Sequence, residues 1–266
     1  MEYLKFVLYG LIQGLTEFIP VSSTAHLKVI SFFLGIDDPG PSLSAIIQLG
    51  SVFALIWYFR KDILKIRRQS LSKYLNYLLN QKLIRSILIA TTPIVLLGGS
   101  VKFFMPNFFD NVLRSNLSIA LVSIFMGMVM YLADKSKKGS INLKNHSLSN
   151  SFLIGISQAF AIFPGVSRSG VTISTALISG WERADAAKFS FLLGMPAISL
   201  AAIVEIISSF KGFSTFNVFP LVVGLVTAFL SSLFAIDFLI KFFSSNGLKL
   251  FIIYRIIFGV VILLNL

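Results

Sequence analysis

The chain contains no cysteine, which excludes disulfides, thiolate catalysis and cysteine-based metal sites. Charge is scarce as well: only 13% of the 266 residues are Asp, Glu, Lys or Arg, about half the share of an ordinary soluble domain. Acids are the rarer sign, 11 against 23 basic residues, and only two histidines occur, His26 and His146. What fills the chain is apolar: 56% of residues are hydrophobic, 27 of them Phe. A water-soluble single domain cannot hide that much apolar surface. At about 20 residues per crossing the chain can traverse a bilayer several times, so the sequence predicts a polytopic all-α membrane protein with one integral domain over 1–266. The basic excess would suggest nucleic acid in a soluble protein. Here it sits in short loops between apolar runs, where it sets orientation instead. The start, Met1-Glu2-Tyr3-Leu4-Lys5, lacks a basic leader and a small-residue cleavage site, so no removable signal peptide is expected.

Span-like apolar runs cover about 43–59, 83–104, 115–133, 187–208, 218–240 and 248–265. Two further apolar segments are broken. The segment 4–35 carries Gly10, Gly14, Pro20 and a polar cluster at 22–26; the segment 148–180 carries Gly155, Pro164, Gly165, Gly170 and Gly180. Backbone left unbonded by such breaks cannot face lipid, and each segment reads as a re-entrant helix–loop–helix pair. The two resemble copies. Gln13 and Gln158, Phe18 and Phe163, Val21 and Val166, Ser22 and Ser167, and Gly35 and Gly180 all stand 145 residues apart, with Leu49-Gly50 and Leu193-Gly194 at 144. Each half, about 1–133 and 148–266 with a cytoplasmic linker 134–147, would then hold one re-entrant pair and three transmembrane helices. Residues 60–82 hold seven basic residues and one acid, and 134–146 hold four Lys and one Asp, so both loops are predicted on the cytoplasmic face. Residues 36–42 and 105–114 are poor in basic charge and are predicted outside. Three spans per half turn the second copy upside down, an inverted-topology repeat whose paired breaks mark the functional site.

Both breaks are polar where a span should be apolar. The first reads Gln13-Gly-Leu-Thr-Glu17-Phe-Ile-Pro20-Val-Ser22-Ser23-Thr24-Ala-His26. Gln13 and Glu17 share one helix face, and Ser22, Ser23 and Thr24 fall where a new helix is capped, its free N–H groups suited to an anion. His26, one turn in, suits a base near neutral pH. The second reads Pro164-Gly-Val-Ser167-Arg168-Ser169-Gly170-Val-Thr172. Its glycines let backbone N–H groups approach a ligand, Ser167, Ser169 and Thr172 supply hydroxyls, and Arg168 supplies a planar fork for phosphate. Neither nucleotide-binding glycine pattern is present at these loops. A carboxylate, a hydroxyl, an imidazole and a phosphate clamp together suit phosphoryl transfer or hydrolysis, with a serine attacking or activating water.

Q-G-L-T-E-F-I-P-V-S-S-T-A-H and P-G-V-S-R-S-G-V-T closely resemble the two signature motifs of the undecaprenyl-diphosphate phosphatases of the UppP/BacA type. The resemblance extends to Ile47-Gln48-Leu49-Gly50 and Tyr254-Arg255. It implies hydrolysis of undecaprenyl diphosphate to undecaprenyl phosphate and phosphate, recycling the lipid carrier for peptidoglycan and conferring bacitracin resistance. It also implies a bacterial plasma membrane setting, a site open toward the outer face, and a divalent cation, Mg²⁺ or Ca²⁺. By the same resemblance Glu17 is the essential second acid and metal ligand, Ser23 the nucleophile, His26 the base and Arg168 the diphosphate clamp. Gln13, Ser22, Thr24, Gln48, Ser167, Ser169, Gly170 and Thr172 are the substrate-binding candidates around them. Gln13 stands where the family also allows an acid, which weakens any scheme needing two carboxylates on one metal. Ala25 replaces the glycine usual before the histidine. The expected partners are the isoprenoid diphosphate and membrane lipid, with a homodimer allowed and neither nucleic acid nor nucleotide involved.

The competing reading is an inverted-repeat carrier or flippase for an anionic isoprenoid lipid. The Ser23–His26–Glu17 set, which transport does not require, separates the two. Other residues have plainer expectations. Gly10 and Gly14 mark close helix packing. Gln48 either lines the site or bonds a neighbour. His146, in a Lys/Asn/Ser loop, is expected to be solvated. Asp237 and Arg255, at similar depth in adjacent spans, are expected to form an ion pair. The topology has a direct test, because the chain lacks cysteine: Ser70→Cys should resist an impermeant thiol reagent applied from outside intact cells, and labelling from outside would overturn the layout.

Overall fold

The computed structural model describes residues 2–60, 82–104, 113–136, 139–208 and 218–266. Among them are ten α-helices: α1 (Glu2–Phe18), α2 (Ser23–Leu34), α3 (Gly40–Tyr58), α4 (Lys82–Phe104), α5 (Asn116–Asp134), α6 (Leu148–Ala159), α7 (Arg168–Ile178), α8 (Arg183–Ser208), α9 (Val218–Ser245) and α10 (Lys249–Leu263). A single 3₁₀ turn, Phe160–Ile162, follows α6. Five helices are long and apolar enough to cross a membrane: α3, α4, α5, α8 and α9. The chain is thus a multi-pass α-helical protein. The sixth expected span, 248–265, becomes α10 at 15 residues, or about 22 Å, short of a bilayer's apolar thickness. Most of the basic loop at 60–82 (Lys61 to Lys73), Asp110, and Lys137 and Lys138 lie outside the described residues.

The two broken segments each return to the end of the bundle at which they start. Lys5 at the start of α1 pairs with Asp37 just after α2 at 3.1 Å, and the Tyr9 hydroxyl donates to the Asp37 carbonyl at 2.5 Å. The loop before α6 meets the loop after α7 in the same way: Ile141 N–H donates to the Gly180 carbonyl at 3.0 Å and Glu182 N–H to the Ile141 carbonyl at 2.8 Å. Arg114 pairs with Asp38 at 2.9 Å, so the start of α5 shares an end with the loop after α2. At the opposite end Asp134 pairs with Arg183 at 2.9 Å and accepts the Leu248 N–H at 3.0 Å. Asp38 and Arg114 thus lie at one end of α5 and Asp134 at the other.

Lipid offers no hydrophobic drive between helices, so close approach of small residues does the holding. A Cβ on Gly10 would strike the Gly224 carbonyl, and one on Gly14 the Ser231 hydroxyl and the Ala228 carbonyl. These contacts seat α1 on α9. Gly155 meets the Ala90 carbonyl in the same manner, seating α6 on α4. The largest buried apolar cluster, with Trp181, Phe189, Phe191, Phe243 and Leu248, fills the bundle at the Asp134 end.

Two expectations are overturned. Asp237 and Arg255 do not pair: Asp237 faces outward, bonding Lys241 at 2.6 Å and the Tyr58 hydroxyl at 3.3 Å, while Arg255 faces inward and is fully buried. Counting residues along the two helices did not reveal the direction in which each turns them. His146 is buried rather than solvated. Its Nε2 meets the Ser86 hydroxyl at 2.9 Å, and its ring lies 5.3 Å from Trp181 and 5.9 Å from Phe189, because the linker folds back over the end of α7.

Gly14→Val should drive α1 from α9 and destabilise the folded protein by about 1–3 kcal/mol; Gly99→Ala, which meets open space, should not. Equal melting temperatures in detergent would refute the packing. Burial, reinforced by Lys82, holds His146 below its ordinary value of 6.5. The unfolded chain therefore binds the extra proton first, and stability should fall as pH drops below about 6.5. His146→Gln should flatten that slope in a pH series of melting curves, and an unchanged slope would count against it.

Candidate active site

Pro20 stops α1, and the chain restarts at Ser23 through Ser22, whose φ of 78° lies in the left-handed region. Pro164 and Gly165 stop the other segment, and α7 restarts through Ser167 at φ 68°. These are the only non-glycine residues with positive φ among those described. Such a conformation is uncommon for any residue with a Cβ. Here it turns the N-termini of α2 and α7 toward the breaks, bringing partial positive charge and free N–H groups.

The breaks meet. The Ser169 hydroxyl donates to the Ile19 carbonyl at 3.1 Å, and Arg255 reaches the carbonyls of both Pro20 and Val166, at 3.2 and 3.4 Å. At their centre is Glu17, 7% exposed. Its Oε2 accepts from Gln13 Nε2 at 2.7 Å, Ser23 Oγ at 2.8 Å and Gln48 Nε2 at 3.0 Å. Its Oε1 lies 3.4 Å from Arg168 Nη2, an ion pair between the two broken segments. Gln48 therefore belongs to the site as well as bonding a neighbour.

Arg168 also donates through Nη1 to the Ser190 carbonyl at 2.9 Å, while its buried Nε has no protein acceptor. The guanidinium lies against Gly194, where any Cβ would collide with it. Ser167 caps α7 by accepting the Gly170 N–H at 3.2 Å. Thr172 donates to the Arg168 carbonyl at 2.8 Å and meets the Ser190 hydroxyl at 2.6 Å. The hydroxyls of Ser167, Ser169 and Thr172 thus hold the second break in shape.

His26 makes its hydrogen bonds away from Ser23. It makes no hydrogen bond to Ser23. Its Nδ1 lies 2.7 Å from the Ser22 carbonyl, which only accepts, so Nδ1 carries a proton. In the neutral ring Nε2 then accepts from the Tyr254 hydroxyl at 2.7 Å, and the ring stacks on Phe258 with centroids 4.4 Å apart. Thr24 is half-buried in the same turn.

Among the described residues no three His, Asp or Glu side chains converge on a point that would hold a metal. Glu17 is the one acid of the network, flanked by the amides of Gln13 and Gln48. Such a hard oxygen set fits Mg²⁺ or Ca²⁺ only as an ion that brings most of its ligands with it, as phosphate oxygens. Ser190, Gly194 and Tyr254 were not foreseen as site residues. Gly194 left a signal in the repeated Leu-Gly pair and Tyr254 in the resemblance at Tyr254-Arg255; Ser190 left none.

A family model described as bacitracin resistance protein BacA matches residues 6–261. An undecaprenyl-diphosphatase of Prochlorococcus marinus strain MIT 9301 is 78% identical over 266 residues, covering all of both chains. That of the subspecies pastoris strain CCMP1986 is 62% identical over the full length of both. That of strain MIT 9313 is 43% identical over 257 residues, covering 96% of this chain and 86% of the relative. With a match to all but a few residues at either end, and with the family's two motifs meeting at one buried carboxylate, the chain belongs to the BacA family of bacitracin resistance proteins.

Proposed function

We propose that this protein hydrolyses undecaprenyl diphosphate to undecaprenyl phosphate and inorganic phosphate, as the names of its relatives state for them. One observation carries the chemical reading: the Ser23 hydroxyl donates a hydrogen bond to the Glu17 carboxylate at 2.8 Å, and Arg168 reaches the same carboxylate from the other break. A carrier has no need of a hydroxyl aimed at a buried carboxylate.

In the proposed reaction the terminal phosphate lies against Ser23 and the N-termini of α2 and α7. Ser23 Oγ attacks the terminal phosphorus as Glu17 Oε2 takes its proton. The bond from phosphorus to the bridging oxygen breaks, and undecaprenyl phosphate leaves with that oxygen and its electron pair. Glu17 passes the Ser23 proton to the departing phosphate oxygen; water then attacks the phosphoserine, and Glu17 takes a proton from the water and returns it to the Ser23 oxygen, which leaves as the hydroxyl as phosphate is released. Arg168, with Nε–H unspent, binds phosphate oxygens with a planar fork that an ammonium cannot imitate. Gln13 and Gln48 fix the carboxylate, and His26, locked between Ser22 and Tyr254, fixes the turn that presents Ser23. A divalent cation, when bound, would be held by Glu17 together with the diphosphate oxygens and would offset their charge.

The same reading makes the bundle an inverted repeat of two re-entrant pairs, each followed by three further helices. Its supports are the paired positive φ at Ser22 and Ser167, the paired left-handed glycines Gly35 and Gly180, and helix packing that exchanges equivalent partners. In that packing α1 sits on α9 as α6 sits on α4, and α3 and α5 meet α8 and α10. We place the protein in the bacterial plasma membrane with the site opening outward. The apolar cluster around Trp181, Phe189 and Phe243 fills the bundle toward the end marked by the 139–146 loop, leaving the opposite side for a polar headgroup.

Purified protein should release phosphate from farnesyl or undecaprenyl diphosphate, and acid quenching during turnover should trap phosphoserine at Ser23. Turnover without trapped phosphoserine would give Ser23 the lesser task of orienting water, and its absence from a folded protein would sink the enzyme reading. Arg168→Lys should lower kcat on the order of 10²-fold, and Arg168→Ala further, with both proteins monodisperse in detergent. Near wild-type turnover in a folded Arg168→Ala protein would remove the clamp.

A further inference from the structure

Arg255 is fully buried, yet every acceptor it has is a backbone carbonyl. Nε donates to Ser123 at 3.3 Å, Nη1 to Pro20 at 3.2 Å and Val166 at 3.4 Å, and Nη2 to Gly165. Among the described residues no carboxylate lies within ion-pair distance of it. Three of these four acceptors belong to the two breaks, one from the first and two from the second. Such carbonyls stand where a helix has ended and need donors, but neutral donors would satisfy them. A buried full charge without a counter-charge is costly, and proteins keep one where it has a task.

The charge balance of the site identifies that task. Glu17 and Arg168 neutralise one another across the breaks. Arg255, bonded to the same two loops from the side of α10, is then the surplus positive charge, in surroundings where a charge is felt more strongly than in water. We propose that Arg255 is a positioning residue for the diphosphate: its fork pins the two break loops in register, and its uncompensated charge is balanced by the bound substrate. The proposal rests on the diphosphatase reading.

The two tasks separate by substitution. Arg255→Lys keeps the charge but replaces the fork with a single nitrogen that cannot span both loops. It should bind inorganic diphosphate as the wild type does, read as a rise in melting temperature, with KM for farnesyl diphosphate within about threefold and kcat reduced about tenfold or more through lost alignment. Arg255→Met loses both. It should lose stabilisation by inorganic diphosphate and raise KM about tenfold as well. A purely structural role predicts lower melting temperatures for both variants, with unchanged kcat and KM in whatever folds, and that result overturns the proposal. So does an Arg255→Met protein that inorganic diphosphate stabilises as it does the wild type. If Arg255→Met does not fold, the lysine variant decides: wild-type kcat overturns the proposal and the kcat-only defect supports it. If the wild type binds inorganic diphosphate in an Arg255-dependent way but releases no phosphate from the lipid, the enzyme reading fails while the placement of the charge stands.

Discussion

A helix that stops inside a bundle leaves carbonyls and N–H groups that must be bonded within the protein, and the architecture of this chain follows from where those groups go. The carbonyls of Pro20, Gly165 and Val166 go to Arg255, and that of Ile19 to Ser169. Each break is therefore satisfied partly by the other or by the helix lying behind both. Neither segment could hold this shape alone, so the requirement of backbone bonding also assembles the site.

That requirement explains the polarity of the centre. Glu17, Gln13 and Gln48 are polar groups in an apolar bundle, and burying any one unpaired would be expensive. They are tolerated because they spend their capacity on one another and on Ser23 and Arg168. The glycines do the complementary work on the outside of the site. Gly10, Gly14 and Gly155 bring α1 and α6 against their neighbours closely enough to bury the breaks, and Gly194 leaves room for the Arg168 guanidinium to lie flat. A polar centre and close-packed small residues are two faces of one constraint.

The aromatic packing is concentrated around Trp181. The cluster around Trp181, Phe189 and Phe243 fills the bundle toward one end, and His146 is drawn into it with Ser86 as its polar partner. The other end carries Lys5, Asp37 and Asp38 around the return of α2.

The sequence by itself determined the class and the parts. Apolar runs located the long helices, and Pro20 and Pro164 located both breaks. The 145-residue spacing paired Ser22 with Ser167, and the two motifs named Glu17, Ser23 and Arg168 as chemistry. Each of these is legible because it depends on composition or spacing along the chain. Only the tertiary structure decided which groups touch. It hydrogen-bonded the Ser23 hydroxyl to Glu17, turned His26 to Tyr254, and made Gly194 the rest for Arg168. It also put Arg255 on the loop carbonyls and Asp237 outside, and it buried His146. The physical reason is the same in each case. Depth along a helix follows from counting residues, but the direction a side chain faces depends on how the helices pack around it. That packing was set by glycines and backbone carbonyls far apart in the chain.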